Sequence, residues 1–307
     1  MAGGAGFIGA ALCRRLIERG DEVVCVDNLV TGRTTNITAL SAHERFHFVE
    51  ADICDGFGLT GPLDAVINLA CPASPADFGP LALQILDVGS RGTATLLGLA
   101  AAHGARFLQA STSEVYGDPL VHPQPETYFG NVSPIGPRSV YDEAKRFGEA
   151  LVMAHHRTNG TEVRIVRIFN TYGPRMRPDD GRVVSNLITQ ALAGRPLTLY
   201  GDGSQTRSFC FVEDLVEGIL GVLGCDHVGP VNLGTTDERS VAELAQVVKE
   251  LAGSSSPVTH LPALADDPAK RRPDLSLAER LIGWAPPTPL RAGLSRTVDW
   301  FAGRVEE

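Results

Sequence analysis

Two periods of apolar spacing alternate along the first half of the chain. Residues 7–19 carry apolar side chains at helical spacing and stop at Gly20, which predicts a helix. "EVVCVD" (22–27), "FHFVEAD" (46–52) and "AVINLA" (65–70) are short, nearly continuous apolar runs, the pattern of strands buried on both faces. "GTATLLGLAAAHG" (92–104) predicts a helix, "RFLQAST" (106–112) a strand, residues 139–160 a long helix and "VRIVRIFN" (163–170) a further strand. Strands separated by helices of this length predict an α/β fold built on a doubly wound parallel sheet.

After Asn170 the regularity weakens. Residues 171–182 are rich in Pro, Gly and Arg, and 197–210 read as loop. A helix at 212–223 and a strand at 229–234 return to the sheet pattern. From Val241 the tail is helical, then loop-like through 256–275. The expected organisation is a nucleotide-binding domain over 1–170, to which 208–234 returns. A smaller lobe, 171–207 and 235–307, should cover the carboxyl ends of the strands, where such sheets bind ligands.

Composition narrows the function classes. The net charge of -9 over 307 residues argues against a nucleic-acid surface. The chain shows no apolar run of about 18 residues and no basic leader, so no membrane partner and a cytoplasmic location are expected. The six cysteines form no CxxC pair, which points to reduced thiols and no metal site. Lys270-Arg271-Arg272 is either a solvated run or faces an anion.

Gly3, Gly6 and Gly9 have GxxGxxG spacing, suited to a backbone that approaches a phosphate at a helix N-terminus. Asp27 ends the second apolar run, 18 residues after Gly9, at the distance of an acid that binds a ribose 2′-OH. A carboxylate there repels a 2′-phosphate, so NAD is expected rather than NADP. Asp52 and Ile53 are candidate adenine contacts. Only Met1 and Ala2 precede the glycines, so the first strand is expected to be absent or truncated, leaving a gap at the centre of the sheet. Tyr141 and Lys145 are i and i+4 on one helix face, where an ammonium can lower a phenol's pKa.

"GGAGFIG", "STSEVYGD" and "YDEAK" together resemble the extended short-chain dehydrogenase/reductase superfamily, whose nucleotide-binding domain is of Rossmann type. Longer strings, 111–146, 167–176, 180–186, 203–209 and 266–274, resemble the UDP-glucuronate decarboxylase family. The resemblance implies NAD-dependent oxidation of the sugar C4, loss of CO2 and return of hydride, from UDP-glucuronate to UDP-xylose. It implies Tyr141 as base, Lys145 on the cofactor ribose, Thr112 on the C4 oxygen, Glu114 beside C5 and Arg271 near the sugar carboxylate. It carries Phe7, Ile8, Asn28, Thr31, Gly32, Arg33, Leu69 and Ala70 to the cofactor site. It carries Ser113, Asn170, Arg175, Arg182, Val183, Tyr200, Gln205, Arg207 and Arg272 to the substrate site. Where a 4,6-dehydratase reads Thr-Asp-Glu, this chain has Ser113, which is no acid for a departing C6 hydroxyl.

The chain departs from the pattern in places. Asp87 and Gly89 replace a Lys and an Asn, and Asn68 and Cys71 replace a His and a Ser. Asp87, Gly89 and the short start should weaken the hold on NAD, giving UDP-4-keto-xylose or a mixture of it with UDP-xylose. The alternatives are a UDP-sugar 4-epimerase and a catalytically inactive NAD-binding protein. The resemblance also implies a homodimer, paired through the helices 92–104 and 139–157.

Overall fold

The computed structural model describes residues 1–59, 61–263, 268 and 270–303. Residues 266, 267 and 269 of the "DDPAKRRPD" string lie outside the described residues. The first half runs through α1 (Phe7–Arg19), β1 (Val23–Asp27), α2 (Thr34–Ile37), β2 (Phe46–Glu50), β3 (Ala65–Asn68), α3 (Ala82–Asp87), α4 (Thr93–His103), β4 (Arg106–Thr112), α5 (Ser139–Asn159) and β5 (Val163–Ile168). The second runs through β6 (Thr171–Tyr172), α6 (Val183–Leu192), β7 (Leu197–Tyr200), β8 (Thr206–Ser208), β9 (Cys210–Phe211), α7 (Val212–Gly224) and β10 (Pro230–Leu233). It ends with β11 (Glu238–Ser240), α8 (Val241–Leu251), β12 (Val258–Leu261), β13 (Lys270–Arg271), α9 (Ser276–Ile282) and α10 (Leu290–Ala302).

The expected central gap is filled. Ala2 pairs in parallel with Val26 of β1 on one side and Asn68 of β3 on the other. Its N–H donates to Ile67 O at 2.9 Å, and its carbonyl accepts from Leu69 N–H at 3.0 Å. Gly3 N–H donates to Val26 O, and Val26 N–H to Met1 O, both at 2.8 Å. Residues 1–3 suffice because the flanking strands are themselves only five and four residues long. The parallel order is therefore β2, β1, residues 1–3, β3, β4, β5, β10.

Apolar side chains cover both faces of this sheet. On one face Leu12 and Leu16 of α1 and Leu215 and Ile219 of α7 pack on Cys25, Leu108 and Val166. On the other, Leu96 and Leu97 of α4 and Val152 of α5 pack on Val66, Phe107 and Ile165. A separate core joins Leu187 of α6, Leu197 and Leu199 of β7, Leu244 and Val248 of α8, and Leu294 and Phe301 of α10. The expected loops at 197–210 and 256–275 are corrected here. They contain β7, β8, β9, β12 and β13, short strands in which β12 pairs with β7 and β13 with β8. Runs of two to four residues are too short to show a period. Among the described residues no helix is long and apolar enough to cross a membrane, and no cluster of His, Cys, Asp or Glu could hold a metal. All six thiols are free.

Candidate active site

A cavity of about 360 Å³ runs along the carboxyl edge of the sheet, and a hollow of about 110 Å³ opens beside it. Gly3, Gly6, Phe7, Ile8 and Gly9 line the cavity. Gly9 must be glycine, since a Cβ there would stand 2.1 Å from Gly3 O. Gly6 is the N-cap of α1 and offers no side chain to its first turn, so the free N–H groups are left for an anion. These features fit a pyrophosphate.

The hollow is lined by Asp27, Asn28, Thr31, Gly32, Asp52, Ile53, Leu69 and Ala70. Asp27 accepts from the Ala5 and Leu29 N–H groups, each at 2.9 Å. Burial pushes its carboxyl above the usual range against these two bonds. Asn28 donates to the Asp52 carboxylate at 2.8 Å. Gly32 crosses Asp27 so closely that a Cβ would meet Oδ1 at 2.5 Å. The set fits an adenosine, with acids and amides at its polar end and Ile53 and Leu69 on its faces. Arg33 lines the cavity and reaches Asp179 at 3.0 Å.

The departures near this site read differently in three dimensions. Asp87 lines the hollow, but Arg91, one turn on, donates to it at 2.6 Å and offsets its negative charge. Gly89 lies in a π-helical turn, Val88–Gly92, where a Cβ would stand 2.7 Å from Ala144 Cβ. Without a Cβ there, the turn packs closely against α5 just before Lys145. Asn68 donates to Gln109 Oε1 at 3.0 Å and holds the Ala70 N–H at 3.1 Å.

Tyr141 and Lys145 project from α5 into the cavity beneath the end of β4. Lys145 Nζ donates to Ala110 O at 2.9 Å and lies 5.7 Å from the Tyr141 ring centroid. The Tyr141 ring stacks on Phe78 at 5.1 Å. The expected lowering of the phenol by Lys145 is corrected: burial raises Tyr141 above its ordinary value, and Cys71 adds to it. Arg182 and a hydrogen bond with Thr112 pull the other way and are outweighed.

Thr112 and Ser113 line the same wall, and Thr112 Oγ1 accepts from Glu114 N–H at 3.3 Å. Glu114 sits between two arginines. Arg271 donates through both terminal nitrogens, one at 2.9 Å, and Arg138 donates at 2.8 Å. Burial works against the ionised form, but Arg271 and then Arg138 outweigh it and hold the carboxyl at about 2.

Asn170, Arg175, Arg182, Val183, Tyr200, Gln205, Arg207 and Arg271 all line the cavity. Arg207 and Arg271 are neighbours in register on β8 and β13. Arg272 does not line it. The strand alternation turns it to Glu238 at 3.6 Å instead. Sequence reasoning missed Arg138, Phe78 and the Asp77–Arg177 pair, bidentate at 3.0 and 3.1 Å, all set by tertiary packing.

The profile of the NAD dependent epimerase/dehydratase family matches residues 1–234. UDP-glucuronic acid decarboxylase 1 of Arabidopsis thaliana is 52% identical over 305 residues, which cover 99% of this chain and 70% of that protein. UDP-glucuronic acid decarboxylase 1 of Danio rerio is 47% identical over 306 residues, 100% of this chain and 73% of that one. Among solved structures, a UDP-glucose 4-epimerase of Thermotoga maritima with UDP-glucose superposes with a TM-score of 0.91 at 30% identity, over 99% of this chain and 98% of that one. A UDP-glucuronic acid 4-epimerase of Bacillus cereus, in complex with NAD and UDP-4-deoxy-4-fluoro-glucuronic acid, gives 0.88 at 28% identity, over 99% and 98%. The glycine cradle, the Asp27 hollow and the Thr112–Tyr141–Lys145 cluster thus agree with the profile and the relatives, and the chain belongs to the NAD dependent epimerase/dehydratase family.

Proposed function

We propose that this chain decarboxylates UDP-glucuronate, through oxidation at C4, to UDP-xylose. The observation that carries the reading is Glu114 clasped by Arg271 and Arg138 in the same cavity as Thr112, Tyr141 and Lys145. Two guanidinium groups against one carboxylate give that wall a net positive charge, which suits a uronate carboxylate. The decarboxylase relatives, near 50% identity over almost the whole chain, support the same substrate.

NAD, held by the glycine cradle and the Asp27 hollow, supplies the acceptor and later the donor of hydride. Tyr141, in its phenolate form, takes the proton from the C4 hydroxyl, with Thr112 bonded to the same oxygen; Arg182, and the positive charge that bound NAD would bring, work against the burial that raises the phenol. Lys145, fixed on Ala110 O, would hold the cofactor ribose. With C4 a ketone, the carboxylate on C5 belongs to a β-keto acid, and loss of CO2 leaves an enolate. Thr112 and Tyr141 are placed to stabilise its oxygen. C5 then takes a proton from solvent water, the one proton the overall decarboxylation consumes, C4 regains hydride, and Tyr141 returns its proton to the C4 oxygen. Ser113 supplies no acid for a competing loss of a C6 hydroxyl, and a uronate has none.

The filled central strand position and the Arg91–Asp87 pair support a firm hold on NAD. A firm hold favours UDP-xylose over UDP-4-keto-xylose as the product, and a single-turnover reaction followed by mass spectrometry tests it. UDP-4-keto-xylose as the main species would refute this part.

A homodimer forms part of the reading. α4 is apolar on every side, which a surface helix sustains only under a partner. Its outward positions Ala94, Gly98, Ala101 and Ala102 are small, and Leu83 of α3, 81% exposed, and Phe147 of α5, 51% exposed, add large apolar side chains to the surface. Small residues together with large apolar ones suit close packing of α4 and α5 against a second copy.

A further inference from the structure

Behind the wall that carries Glu114 lies a buried carboxyl that the reaction above does not use. Asp142 follows Tyr141 on α5 and is only 5% exposed. It stands behind the wall, outside the cavity lining. Its Oδ1 is buried and has no hydrogen-bond partner among the described residues. An ionised carboxylate with an orphaned oxygen is costly to bury, whereas the protonated acid is much less so.

The charged groups acting on Asp142 come from three elements. Glu114 belongs to the turn after β4, Arg138 caps α5 and Arg271 lies on β13, while Glu143 neighbours it on its own helix. Arg146, one turn on, directs its donors to the Val115 and Phe129 carbonyls and pairs with Glu143. Arg138 and Arg271 bring two positive charges against the one negative charge of Glu114. The wall is therefore cationic while Asp142 keeps its proton and neutral once Asp142 loses it.

We propose that Asp142 is a positioning residue that sets the charge of the uronate-binding wall, holding it cationic while protonated and releasing the sugar carboxylate when ionised. The proposal rests on the uronate reading above. Burial, then Glu114, pushes the Asp142 carboxyl up to about 7 against the pull of Arg138 and Arg271, so the change falls in the neutral range. Binding of a second anion beside it favours the protonated form, so uronate binding takes up a proton.

The test is calorimetric titration of the full chain with NAD, carrying Tyr141→Phe to stop turnover, from pH 5.5 to 8.5. UDP-glucuronate and UDP-glucose are the two ligands. The Kd of UDP-glucuronate should rise about tenfold between pH 6 and 8, while that of UDP-glucose stays level. Adding Asp142→Asn should hold the UDP-glucuronate Kd at its low-pH value throughout. A Tyr141→Phe profile as level as that of UDP-glucose overturns the proposal without any change at Asp142. So does an unchanged pH profile in the Asn variant. UDP-glucose binding as tightly as UDP-glucuronate at every pH would instead sink the uronate reading, and the proposal with it.

Discussion

Arg271 on β13 grips Glu114, 157 residues earlier in the chain, through both terminal nitrogens of its guanidinium. The pair ties β13 to the end of β4, and so closes one wall of the cavity. Arg271→Lys keeps the charge but loses the fork, and should lower kcat/KM for UDP-glucuronate about 10- to 100-fold in steady-state kinetics. A variant that works as well as the parent would remove the pair from the mechanism.

The same pair has a pH signature in stability. The folded Glu114 carboxyl is held at about 2 against an ordinary 4.5. A depressed folded value contributes stability that is complete above the unfolded value and fades as pH falls from about 4.5 towards 2. Glu114→Gln should therefore lose stability in urea at pH 7, with the deficit narrowing below about pH 4. A deficit independent of pH would contradict the assignment.

Tyr141→Phe removes the proton carrier and leaves the stacking on Phe78. The kcat should fall by about 10²- to 10⁴-fold, with UDP and NAD affinities within about threefold of the parent, a difference below 1 kcal/mol. Loss of binding in step with activity would mean that Tyr141 is structural.

Glycine positions separate the cradle from the surface. Gly9→Ala forces a Cβ to within 2.1 Å of Gly3 O, and should cost about 3 kcal/mol or more and strip NAD from the purified protein. Gly224→Ala meets nothing within 4 Å, and should leave NAD content unchanged. Cofactor released by heat and measured by absorbance reads both.

Much of this could be read in advance where periodicity was long. α1, β1, β4, α5 and β5 fall within two residues of their expected bounds, because each repeats its period several times. β13 pairs through two residues and the opening strand through three, so neither shows a pattern outside the fold. At the site, Tyr141 and Lys145 were legible from their i,i+4 spacing. The pinning of Glu114 by Arg138 was not, since it depends on a loop returning to the end of β4. The phenol's raised pKa depends on burial, which spacing does not reveal.

The proposed dimer face can be broken without touching the site. Phe147→Glu and Gly98→Arg put charge on the apolar surface of α5 and α4, and should yield monomers in sedimentation velocity at micromolar concentration. A chain that is monomeric before any substitution contradicts the pairing.

The most direct test is CO2 release from UDP-glucuronate. Substrate labelled at C6 should give one labelled CO2 for each UDP-xylose formed, with no added NAD when the cofactor copurifies. Conversion to an epimeric UDP-uronate without labelled CO2 would contradict the account and make the enzyme an epimerase.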